Sequence, residues 1–140
     1  MAREIKFRAW DKRLTIMRTI FLLNSKGIPL DVSPQRVNKE LELMQYTGLK
    51  DKNGKDIYEG DILKDTYAAG YSIYVVKFGP FDNGEDYEDN ESGNGWFTEE
   101  TAHYHEYTTE KRIHAVRDNM NDYNIVGNIY ENPALLEASK

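Results

Sequence analysis

A glycine-punctuated run in the middle of the chain most limits what it can fold into. It reads Leu43-Met44-Gln45-Tyr46-Thr47-Gly48-Leu49-Lys50-Asp51-Lys52-Asn53-Gly54-Lys55-Asp56-Ile57-Tyr58-Glu59-Gly60-Asp61-Ile62-Leu63. A two-residue hairpin turn of type I′ needs positive φ at both central positions, and Asn and Gly adopt it at least cost, so Asn53-Gly54 predicts a hairpin tip between two strands. Gly60 interrupts the second strand, where a bulge or tight bend belongs. Bends of this kind curl a sheet, so the expected fold is mostly β.

The same run concentrates oxygen donors at Asp51, Asn53, Asp56, Glu59 and Asp61, which raises a Ca²⁺ or Mg²⁺ site as a reading. The spacing argues against it. An EF-hand loop needs glycine at its sixth position, whereas Gly54 comes fourth from Asp51, and turn chemistry accounts for the pair.

Along the rest of the chain, Glu4 to Trp10 alternates charged and apolar residues. One face of a strand would then hold Ile5, Phe7 and Ala9, with Lys6 and Arg8 pointing away. Asp11-Lys12-Arg13 predicts a turn and Leu14 to Leu23 a returning strand. Ser33-Pro34 has the form of a helix start, giving a short helix to Glu40 before a strand from Leu41. Asp65 to Ser72 reads as a loop, Ser72 to Phe78 as a strand stopped by Gly79-Pro80, Asp82 to Gly95 as a long polar loop, and Trp96-Phe97-Thr98 as a strand. The pattern between Thr101 and Arg117 selects neither strand nor loop. Asp122 to Tyr130 predicts a closing strand bent at Gly127, and Asn132-Pro133 a short helix through Ala134 to Ala138. At 140 residues the chain makes one domain (1–140). An N-terminal hairpin subdomain and linker take 1–42, and a small curled, SH3-like barrel core takes 43–140.

Three segments carry a resemblance. Leu43 to Leu63, Ile5-Lys6-Phe7-Arg8-Ala9-Trp10-Asp11 and Ile125-Val126-Gly127-Asn128-Ile129-Tyr130-Glu131-Asn132-Pro133 are together similar to the YopX family of phage and prophage proteins. The resemblance implies a mostly β fold and a phage or prophage origin. It brings no biochemical activity or catalytic residue to carry over.

Composition narrows the function classes. With no cysteine there is no disulfide, thiol nucleophile or thiolate metal site. No secretory signal and no membrane-length apolar run is visible, which places the protein in the cytoplasm of a bacterial host with no membrane partner. The formal net charge of −6 disfavours sequence-independent binding to nucleic acid. No Gly-x-Ser-x-Gly elbow or phosphate-cradling loop occurs, so neither an enzyme nor a cofactor finds support.

Three constellations are still candidates. Lys6, Arg8 and Arg13 around Trp10 combine basic side chains with a stacking aromatic, the ingredients of single-strand nucleic-acid contact, against the plainer reading of an amphipathic hairpin's solvent face. His103 and His105 share a strand face at i, i+2 and, with His114, could hold a transition metal, although such pairs more often bind nothing. Asp82, Glu85, Asp86, Glu88, Asp89 and Glu91 form an acidic segment that could dock on a basic partner, its plain reading being a solvated loop. The leading expectation is a non-catalytic protein-binding or assembly module whose partners include copies of itself. A nucleic-acid-associated factor using the basic hairpin comes second, and a metal-dependent enzyme built on His103 and His105 third.

Overall fold

The computed structural model describes residues 5–20, 39–67, 70–82, 92–104, 113–115 and 123–136, with backbone alone at 67, 102–104 and 113–115. Strand β1 (Phe7–Asp11) turns back into β2 (Ile16–Ile20), pairing Asp11 with Ile16 across a loop of Lys12 to Thr15. The buried Asp11 carboxylate shapes that loop by accepting the N–H groups of Arg13 at 3.1 Å and Leu14 at 3.0 Å. Along its other edge β1 pairs antiparallel with β3 (Leu41–Lys50), and β3 pairs with β4 (Asp56–Tyr58). The sheet order is β2-β1-β3-β4. The expected boundary at 42/43 therefore falls inside β3, which joins the hairpin to the rest. Phe21 to Leu23 and most of the expected helix after Ser33 lie outside the described residues, although Lys39 and Glu40 are helical.

The tip between β3 and β4 differs from the expected type I′ turn. Gly54 has φ +78, but Asn53 does not enter the positive-φ region. Gly54 N–H donates to the Asp51 carbonyl at 3.0 Å and Asp51 N–H to the Lys55 carbonyl at 2.8 Å. This is a three-residue loop, a type I turn followed by a left-handed glycine. Asp51 decides the choice: its carboxylate accepts the N–H groups of both Asn53 and Lys55 at 2.9 Å, which a two-residue turn would not present together.

The second sheet has the order β8-β7-β6-β5-β9, from β5 (Asp61–Tyr67), β6 (Gly70–Asp82), β7 (Ser92–Tyr104), β8 (Ile113–Ala115) and β9 (Asn124–Asn128). Most of the loop expected over Asp65 to Ser72 is strand, since β5 and β6 close on a Tyr67↔Gly70 pair. Gly79-Pro80 does not stop β6. Beyond Val75 it has lost β5 and keeps only β7 as a described neighbour, and a proline is tolerated on a strand edge, where no neighbour needs its N–H. Ser92 to Gly95, expected as loop, belongs to β7. Between Thr101 and Arg117 the described backbone is strand, the end of β7 and all of β8. β9 is bulged beside β5, where Ile62 faces Gly127 and Leu63 faces Ile125. The expected terminal helix is a single 3-10 turn, Pro133–Leu136, with Glu137 and Ala138 outside the described residues.

The fold is thus mostly β, with a curled half-barrel sheet and, near the end of the described residues, a 3-10 turn. Along β5 and the first half of β6 the second sheet is buried on both faces. Leu63, Tyr74 and Val76 pack with Ile57 of β4 and with Leu49 and Tyr123, while Ile62 and Ile73 pack under Val126, Ile129 and Leu136. A smaller cluster of Ala9, Ile20, Leu41 and Phe7 lies on the first sheet.

Candidate functional site

The alternation in β1 is real and Ala9 is buried with Phe7 packed beside it, as expected, but the other face is covered as well. Lys6, Arg8 and Trp10 do not form a solvent face; they reach across to other parts of the fold. Arg8 Nη2 donates to Asp61 Oδ1 of β5 at 2.6 Å and lies over the Tyr58 ring at 4.7 Å. Lys6 pairs with Asp56 and sits 4.4 Å from the centre of the Tyr46 ring. Trp10 stacks on Tyr130 with centroids 5.9 Å apart. Long cationic side chains bury their stems and can bridge two sheets where a short polar residue could not. Arg13 alone of the four candidates stays largely exposed, 3.9 Å from Glu40. The charge that would meet a phosphate backbone is thus largely matched inside the chain.

The acidic residues of the central run do not converge on a common point. Asp51 is buried and accepts three backbone N–H groups, from Asn53, Lys55 and Ile125. Burial alone would raise its pKa, but these donors together hold it below the ordinary value. Asp56 pairs with Lys6 and Lys50. Asp61, also buried, joins Arg8 to the N–H of Tyr58, accepted at 2.8 Å. Among the described residues no group of three or more histidine or acidic side chains is placed to hold a metal ion.

Glu59 has a different setting. It has no cationic partner among the described residues, and burial pushes its carboxyl up against the opposing effect of a backbone hydrogen bond with Gln45. It lines a groove of about 290 Å³ where the two sheets meet. Met44, Val75, Val76, Phe97 and Ile129 give the groove its apolar lining, Gly60 contributes backbone, and Glu42, Glu59, Lys77 and Tyr130 supply polar groups. The hydroxyl of Tyr130 is pushed up by burial, then by the nearby charges of Glu42 and Glu59. Phe78, 56% exposed, and Leu43, 38% exposed, stand at the rim. A concave apolar surface holding a carboxylate with a raised pKa is a candidate binding site on general grounds.

Gly60 makes the groove possible. Its φ of +83 turns the chain from β4 into β5, and its N–H donates to the Val76 carbonyl at 2.9 Å. A side chain there would meet Met44 Sδ at 3.3 Å and Ile129 Cγ1 at 3.5 Å. Sequence reasoning identified the bend but not the groove, because Glu42, Glu59, Phe78 and Tyr130 come together only through the fold. One signal was available: a proline within an otherwise strand-like segment marks an edge without a neighbour.

The other sequence candidates are placed as follows. In the backbone register His103 lies opposite Ser72, and His114 lies opposite Thr98. His103 and Thr98 are both on β7, so the two histidine positions are about 17 Å apart along the strands at ~3.3 Å per residue. His105 lies outside the described residues, as do Glu85, Asp86, Glu88, Asp89 and Glu91. Asp82 ends β6, paired with Ser92.

Comparison with known proteins agrees with this architecture. The family model described as YopX protein matches residues 6–137. The fold is similar to the crystal structure of protein EF1440 from Enterococcus faecalis, with a TM-score of 0.53 and 26% identity, covering 97% of this chain and 100% of that one. No curated protein matches the sequence.

Proposed function

The chain belongs to the YopX family, and starting from that membership we propose that it is a phage or prophage accessory protein that works as a non-catalytic protein-binding module in the bacterial cytoplasm. The observation that carries this reading is the groove between the sheets. Its apolar lining, the exposed Phe78 and Leu43 at its rim and the polar side chains of Glu42, Glu59, Lys77 and Tyr130 have the anatomy of a recognition surface, an apolar centre with orienting polar groups. The partners include copies of the chain itself.

Position-specific photo-crosslinking in host cells tests the reading. A photoreactive phenylalanine at Leu43 is expected to give discrete protein adducts, and one at Lys52, on the exposed hairpin tip, none. Equal labelling from both positions, or none from Leu43, overturns it. Light scattering during size exclusion tests the self-association part, which a strict monomer at high concentration would remove.

A further inference from the structure

We propose that the groove accepts an extended segment of a partner protein, laid as an added strand along the edge of β6 at Phe78 and presenting a lysine or arginine to Glu59. This rests on the protein-binding reading and specifies its chemistry.

The backbone gives the first argument. The last β5–β6 pair is Ile62↔Val75, and the turn at Gly60 then closes on the Val76 carbonyl. That carbonyl points to the β5 side, so by strand alternation the N–H and C=O of Phe78 point to the same side. No strand lies beside them there among the described residues. An open edge of this kind is a template for a strand from another chain. Pro80 comes next on that side and has no N–H to give, which limits the addition to a short segment.

The side chains give the second argument. A segment on this edge would lie against Met44 and Phe97, with Glu59, Glu42 and Tyr130 nearby. Glu42 already pairs with Lys12 at 2.6 Å and the groove's own cation, Lys77, pairs with Glu99 at 2.8 Å, while Glu59 has no ion-pair partner among the described residues. A carboxylate without a counter-charge beside an aromatic ring favours an ammonium or guanidinium group. A second copy pairing about a two-fold axis at Phe78 would set Pro80, which has no N–H, opposite Val76, whose carbonyl already accepts from Gly60, and its nearby Lys77 is held by Glu99, so the complementary occupant is a basic, apolar-flanked segment of another protein.

The test selects displayed random heptapeptides on the purified protein. The enriched pool is expected to carry lysine or arginine at one fixed position, with apolar residues at alternating positions around it. A synthetic peptide from that pool should lose at least tenfold in affinity when its central amides are N-methylated, and similarly toward the Phe78→Pro protein. Against Glu59→Gln its preference for the basic residue over glutamine should vanish. N-methylation tests strand addition without relying on the proline variant to fold. A pool with no basic position, an affinity unmoved by N-methylation, or no enrichment at all overturns the proposal. In each of those cases adducts from Leu43 would leave the protein-binding reading standing, and their absence would remove both.

Discussion

Two carboxylates about eight residues apart along the chain respond to pH in opposite senses, because one is surrounded by donors and the other is not. Asp51, with three backbone N–H groups on its oxygens, has a folded pKa below its ordinary value of 3.8. The stability it supplies is complete above that value and lost as pH falls through the lower folded one. Asp51→Asn turns an NH₂ group toward one of the three donors, so we expect a loss of about 1–3 kcal/mol at neutral pH. In urea titrations the gap to the native protein should narrow toward about pH 3; a constant gap would mean that the charge is unimportant. Glu59 runs the other way. Burial raises its folded pKa above 4.5, so the protonated form is favoured in the fold and stability declines as pH rises through the folded value. Glu59→Gln should therefore melt above the native protein at pH 7, with the difference closing near pH 4. A lower melting temperature at pH 7 would show a stabilising partner for the carboxylate.

Among the elements, the glycine bends were legible in the sequence but their reasons were not equivalent. At Gly54 a Cβ meets nothing within 4 Å and only the φ of +78 opposes it, so Gly54→Ala should cost about 1–2 kcal/mol, the penalty of one left-handed residue. Gly60→Val adds contacts with Met44 and Ile129 to a φ of +83, and should cost more, about 3 kcal/mol. Gly127 has no positive φ; a Cβ there would collide with the Asn132 side chain, whose Oδ1 accepts the Asn128 N–H at 3.3 Å. Gly127→Ala should displace Asn132 and be partly relieved by Asn132→Ala, a coupling that a double-mutant cycle would show. No relief would mean that the bulge itself, and not the close approach, requires glycine. The direction of β1 was illegible for a related reason. Period-two alternation separates Lys6 and Arg8 from Phe7 and Ala9 but does not say which face a second sheet will cover. Asp61 and Arg8 sit far apart in sequence, and nothing local announces their contact.

At the scale of the whole molecule the two sheets share an apolar cluster, Ile57 and Leu49 with Leu63, Tyr74 and Val76, and are further tied by a few polar and aromatic links: Arg8 with Asp61, Trp10 on Tyr130 and Lys52 N–H to the Tyr123 carbonyl at 3.0 Å. The groove lies beside these links, so the same contacts set its width. Arg8 with Asp61 is the most buried of the ion pairs among the described residues, with side-chain exposures of 15% and 2%. Arg8 Nε is buried without a hydrogen-bond partner, so the pair is incompletely satisfied. In such a setting removing one partner is far worse than removing both, because the survivor is left charged in a poorly solvating place. Arg8→Met should then cost about 3–5 kcal/mol. Adding Asp61→Asn, which keeps an acceptor for the Tyr58 N–H without the charge, should return more than half of that loss. Urea denaturation of the native protein, both single variants and the double variant at pH 7 measures the coupling. Additive losses would mean that Arg8 holds the sheets through its packing on Tyr58 and not through its charge, and the groove would then depend on apolar and aromatic contacts.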